Sequence, residues 1–147
     1  MEEPIAEITL RKYEKPYQLE KRELVKKICL SLGLLQPGDS RDIIVDIFLV
    51  LLDSRNSKIA LESEKIKEKT IEIRKGANLD IKGVADSNIR RQLKRLRDMM
   101  LIEKTTDGYR ISDFESLKKI FTDKIENFYL PSIIERVKEY LDMLENL

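Results

Sequence analysis

Hydrophobic positions recur along most of this chain at helical spacing and only briefly at the alternation of a strand. Leu24, Ile28, Leu32 and Leu35 predict a helix over Leu19 to Leu35, which Gly33 frays and the Gln36-Pro37-Gly38-Asp39 cluster ends. Arg41 to Asp53 is apolar almost all round, with Asp42 and Asp46 one turn apart as its wetter edge. This is the expected central core helix, with Asp39 or Ser40 as its cap. A polar turn over Asp53 to Ser57 leads to a short strand, Lys58 to Leu61. Glu62 to Lys75 then reads as a helix with Ile66, Thr70 and Ile73 inward, although the Ile71 to Ile73 alternation also permits a strand at its end.

Gly76 to Asp86 reads as an irregular connection, longer than the few-residue turn of a minimal helix-turn-helix. After it, Ile89, Leu93, Leu96 and Met100 recur at intervals of four, three and four, one face of a helix that Asp86 or Ser87 can cap. Leu101 to Thr105 and Tyr109 to Ser112 flank Thr106-Asp107-Gly108, and Asp-Gly between extended runs predicts a hairpin. Asp113 to Phe128 is expected to be helical, with Leu117, Ile120, Phe121, Ile125 and Phe128 on one face and Pro131 interrupting or restarting it. Leu130, Val137 and Leu144 are seven apart, with Ile133, Ile134, Tyr140 and Leu141 between them, a heptad-like stripe. The first fifteen residues read as an arm or a short strand. The predicted class is mainly α with a small β-hairpin: an amino-terminal arm and helix over 1–40, a domain over 41–112 and a helical extension over 113–147.

Composition adds constraints. The 147 residues are 41% hydrophobic, enough for a core, and 37% charged, with 28 basic against 27 acidic side chains. A net charge of +1 offers nucleic acid no global attraction, but the charge is unevenly placed. Residues 74–112 carry 10 basic and 5 acidic side chains, whereas residues 113–147 carry 5 and 8. Cys29 is alone and falls on the apolar side of its helix, so it reads as a small core residue and an intracellular, cytoplasmic setting is expected. The longest apolar run, Ile43 to Leu52, contains Asp46 and is shorter than the roughly 20 residues of a membrane span. MEEPIAEITL has acids where a secretory signal has basic residues. Abundant Lys, Glu and Ile resembles the composition of proteins from hot-growing organisms.

The excess of positive charge sits on one helix face. Arg90, Arg91, Lys94, Arg95 and Arg97 crowd into two turns with no acid before Asp98, opposite the apolar stripe. A helix anchored behind and positive in front suits a DNA groove. The succession SNIRRQLKRLRDMMLIEKTTDGYRIS is similar to the recognition-helix-and-wing segment of many archaeal and bacterial transcription regulators. The element order over roughly residues 41–112 resembles the winged helix-turn-helix superfamily. The resemblance implies duplex DNA as partner, with the start of the basic helix nearest the bases. Ser87, Asn88 and Arg91 are then candidates for base-edge contact, Arg91 for guanine and Asn88 for adenine. Arg90, Lys94, Arg95 and Arg97 suit phosphates, and Lys104, Thr105, Thr106 and Arg110 suit the backbone or minor groove beside the wing.

Enzymatic chemistry has little support. The chain has no histidine, and its five glycines form no phosphate-cradling loop. Asp42/Asp46 and Glu62/Glu64 read as solvent-facing charge, and neither metal nor cofactor is expected. The leading expectation is a DNA-binding transcription regulator, homodimeric through Leu130, Ile133, Ile134, Val137, Tyr140, Leu141 and Leu144. The same stripe can instead pack on the Leu24 to Leu35 helix. The alternative function is a winged-helix module that docks an acidic protein surface. RNA binding ranks last, since no aromatic residue lies in the basic helix to stack on bases.

Overall fold

A computed structural model describes residues 2–147, and the fold is mainly helical with one small antiparallel hairpin. In order come α1 (Lys21–Ser31), α2 (Ile43–Asn56), α3 (Ser63–Gly76), α4 (Asp86–Asp98), β1 (Ile102–Thr105) and β2 (Gly108–Ile111). A short 3-10 turn (Ser112–Phe114) then leads into α5 (Leu117–Ile120), a π-helical segment (Phe121–Tyr129) and α6 (Leu130–Glu145). Among the described residues no helix is long and apolar enough to cross a membrane.

α2 is the core helix because it has almost no polar face: Ile43 through Leu52 are all buried. Packed around it are α1, α3, α4 and β2. Each offers an apolar stripe: Val25 and Cys29 from α1, Ile66 and Thr70 from α3, Ile89, Leu93 and Leu96 from α4, and Tyr109 and Ile111 from β2. Burial pushes the Cys29 thiol up to about 12, so it stays a neutral packing group.

The expected wet edge of α2 does not exist. Asp46 is fully buried and Asp42 nearly so. Arg22 of α1 grips Asp46 with two parallel bonds, Nε to Oδ1 at 2.8 Å and Nη2 to Oδ2 at 3.0 Å, and reaches Asp42 at 3.1 Å. Arg74 of α3, itself buried, donates to Asp46 at 2.6 Å and to Asp42 at 3.1 Å. Two acids in an apolar helix are tolerated because two arginine forks from neighbouring helices meet them. Burial opposes the Asp42 charge, but the bonds from Arg22 and Arg74 outweigh it and hold its carboxyl below the usual range.

Helix ends also differ from expectation. Neither Asp39 nor Ser40 caps α2; Asp39 Oδ1 accepts from the backbone N–H of Arg41 at 2.9 Å, ahead of the helix. Neither Asp86 nor Ser87 caps α4, whose boundary residue is Ala85, and Asp86 instead pairs with Lys67 at 2.8 Å. α1 stops at Ser31, and Gly33 takes φ +71, where an added Cβ would lie 2.6 Å from Thr9 of the crossing arm. The arm forms no strand. It is tied to the end of α1 by Arg11, whose N–H donates to Ser31 and whose guanidinium donates to the Leu30 carbonyl at 2.8 Å. Ile71 to Ile73 is helical, within α3.

The Lys58 to Leu61 strand shrinks to one residue. Leu61 exchanges two backbone bonds with Tyr109, at 2.9 and 2.7 Å, and so borders the hairpin. The hairpin pairs Ile102 with Ile111 through Thr105 with Gly108, so its turn is Thr106-Asp107 and not Asp-Gly. Neither turn residue has positive φ. Gly108 serves another purpose: at φ +128, an added Cβ would stand 2.5 Å from the Leu61 backbone.

Beyond the hairpin the expected Asp113 to Phe128 helix starts late and changes pitch. Its buried residues, Ile120 and Ile125, are five apart, the spacing of a π-helix. Phe128, expected inward, is 68% exposed because the wider turn rotates it away from the body. Pro131 does not interrupt the helix; it sits in the first turn of α6, where a missing N–H is tolerated.

Candidate nucleic-acid interface

The basic helix α4 is fastened from behind and at its start. Ile89, Leu93 and Leu96 are at most 1% exposed, against α2, α3 and β1. The long connection before it is held by two side chains. Arg74 Nε donates to the Asp80 carbonyl at 2.6 Å, and Asn88 Nδ2 donates to the Gly83 carbonyl at 2.7 Å. The buried ion cluster therefore reaches through Arg74 into the segment that delivers α4.

This architecture divides the basic residues. Ser87, Arg90, Arg91, Lys94 and Arg97 are exposed on the outer side of α4. Arg91 donates to Asn88 Oδ1 at 3.0 Å, and Lys94 pairs with Asp98 at 2.9 Å across exposed side chains. Pairs this open are worth little and are readily exchanged for a phosphate. Arg95 is different: its guanidinium donates to the Leu34 carbonyl at 2.7 Å and to Gln92 at 2.9 Å, fastening α4 to the loop after α1. Asn88 is likewise occupied, since its amide holds Gly83 while its oxygen accepts from Arg91 and Gln92.

The hairpin extends the positive face unequally. Arg90, Lys94 and Arg97 share a cleft of about 450 Å³ with Asp98 and Tyr109 of β2. Lys104 Nζ lies 5.5 Å from the centre of the Tyr109 ring, which brings the hairpin's cation to a residue that walls the same cleft. Thr106 is exposed at the hairpin tip. Thr105 is turned into the hairpin, its hydroxyl donating to the Gly108 carbonyl and accepting from the Asp107 N–H. Arg110 is neutralised: it donates to Glu103 at 2.7 Å and stacks on Phe114 at 4.8 Å. Burial opposes the Glu103 charge, but the Asp113 N–H and Arg110 hold its carboxyl below its ordinary value.

The structure thus brings Arg90, Arg91, Lys94, Arg97 and Lys104 onto one accessible strip and commits Asn88, Arg95 and Arg110 to the scaffold. Tyr109, which the sequence marks as the start of an extended run, is buried and also forms one wall of the cleft. Sequence reasoning missed Arg74 and Arg22, for which the signal was available: two acids inside an otherwise apolar helix require buried cations somewhere in the chain.

The assembled features define a mainly helical protein whose basic helix stands beside a hairpin. Comparisons with protein-family models, curated proteins and solved structures find no match, so the functional reading rests on this site alone.

Proposed function

We propose that residues 41–112 act as a winged helix domain that binds duplex DNA, with α4 as the recognition helix and the β1–β2 hairpin as the wing, in a transcription regulator. The observation that carries this reading is the accessible strip of Arg90, Arg91, Lys94 and Arg97, continued by Lys104 of the wing, on a helix whose opposite face is locked in the core. Leu61 beside the hairpin, followed by α3 and α4, supports the winged helix order. Arg91 is the candidate base reader, since it is exposed and among the described residues its guanidinium bonds only Asn88. Arg90, Lys94, Arg97 and Lys104 are the candidate phosphate contacts. Such a role implies a cytoplasmic protein with access to DNA.

The partner's symmetry enters through α6. Leu130, Ile133, Val137, Tyr140 and Leu144 alternate by three and four, and none is buried in the single chain. A second copy covering this stripe would set two recognition helices at a fixed separation.

The test is a fluorescence-anisotropy titration of mixed-sequence duplex DNA across salt concentrations. Binding weakens steeply with salt, and Arg91→Ala with Lys94→Ala lowers affinity at least tenfold and flattens the salt slope by about one per phosphate contact removed. Arg95→Ala acts through thermal stability instead. No duplex affinity at low salt, or affinity unchanged by the double substitution, overturns the reading in favour of an acidic protein partner.

A further inference from the structure

A second recess, of about 400 Å³, lies between the amino-terminal arm, α1 and the base of the carboxy-terminal helix. Its deeper wall includes Phe48 of α2 and Leu101, both buried, and Leu117 and Phe121 form the side nearest α6. Tyr17 of the arm and Leu24 of α1 stand at its edge, 59% and 43% exposed. Its volume falls in the range of small-molecule pockets, roughly 300–1,000 Å³, and it has their usual lining of aromatic and aliphatic side chains.

The charge around it is one-sided. Glu14 is taken by Lys27 at 2.8 Å, and Lys27 also lies 4.9 Å from the centre of the Tyr13 ring. Lys15 and Lys118 also line the recess, and among the described residues neither has a carboxylate within salt-bridge distance. Two cations therefore border an apolar hollow without compensation.

We propose that this recess binds a small molecule with an apolar body and a single carboxylate, the apolar part against Leu117 and Phe121 and the carboxylate toward Lys15 and Lys118. The site is independent of the basic face of α4, and its occupancy is measured without nucleic acid. Isothermal titration of the full chain with sodium octanoate gives saturable binding of one molecule per chain, with a negative heat-capacity change from apolar burial. Leu24→Glu and, separately, Tyr17→Glu each weaken octanoate at least tenfold. Both residues are exposed, and unchanged thermal unfolding establishes that each variant is folded. Lys118→Glu weakens octanoate at least threefold and leaves 1-octanol unaffected. Absence of saturable binding overturns the proposal, as does binding indifferent to both edge substitutions, or 1-octanol binding as tightly as octanoate. If octanoate fails while a peptide of residues 130–147 binds in a manner lost in Leu24→Glu, the occupant is the carboxy-terminal helix of a second copy and the small-molecule assignment falls.

Discussion

Asp46 lies in the middle of the most apolar helix of the chain, wholly buried, and its carboxylate takes three bonds from two arginines. Removing it leaves Arg74 buried beside a hole. Asp46→Ala should therefore cost about 3–5 kcal/mol in denaturant unfolding, because Asp42 alone is then left to meet two desolvated arginines. Asp53→Ala removes an equally short bond, to Lys21 at 2.6 Å, but both side chains are more than half exposed and stability should change by no more than about 0.5 kcal/mol. The direction of the carboxylate shifts fixes a pH dependence. Asp42 and Glu103 are held below their ordinary values when folded, so on acidification the unfolded chain takes up protons first. Their contribution is complete above the ordinary carboxylate value of about 4 and is lost as pH falls through the lower folded values. With no histidine in the chain, the unfolding midpoint should stay nearly level between about pH 5.5 and 7.5 and fall below about pH 4. A midpoint that fell across the neutral range would contradict this assignment.

At the scale of elements, the hairpin shows how a correct signal can have a different cause. Asp107-Gly108 points to a turn, and a turn is there, but the pairing register puts Gly108 in β2 against Thr105. The glycine is needed because the Leu61 backbone occupies the space of a side chain. Gly108→Ala should destabilise the protein by about 1–3 kcal/mol and open the Leu61 to Tyr109 pairing, seen as faster amide exchange at Tyr109. Exchange at Tyr109 no faster than in the parent protein would place the strain elsewhere. α4 teaches the complementary lesson. Its periodicity identified the anchored and basic faces, with Ile89, Leu93 and Leu96 buried as expected, but Met100, the fourth of the stripe, lies past the helix end at φ +62 and is only half-buried. What spacing did not reveal is that Arg95, at the flank of the basic face, reaches the Leu34 carbonyl 61 positions away in sequence. A helical wheel reports direction from the axis and carries no information on which loop passes beside it.

For the whole molecule, the decisive feature is a 16-residue helix with no buried side chain. α6 leaves Val137, Tyr140, Leu141 and Leu144 between 53% and 71% exposed, and α1 does not cover them. α6 continues without a break from the π-helical segment, and a second copy covering its apolar stripe, as proposed above, would add stability. In the proposed reading that second copy is met along the heptad stripe. Analytical ultracentrifugation should show a dimer at micromolar concentration, and Val137→Asp with Leu141→Asp should convert it to a monomer with reduced helicity. A parent chain that sediments as a monomer at 100 μM or more, roughly the upper end for a functional self-association, would remove the dimer from the proposed mechanism.

Local periodicity and composition determined, from sequence alone, the mainly helical class, the place of α2 at the centre, the two faces of α4 and the existence of the hairpin. These follow from which side chains avoid water at a spacing of 3.6 or 2, a property of each segment by itself. Only the tertiary structure decided that Asp42 and Asp46 are buried, that Asn88, Arg95 and Arg110 belong to the scaffold, that the helix after the hairpin winds with a five-residue spacing, and that an apolar recess opens beside the arm. Each depends on groups brought together from distant parts of the chain, where the partner of a charge, or the lack of one, is set by packing and not by neighbours in sequence.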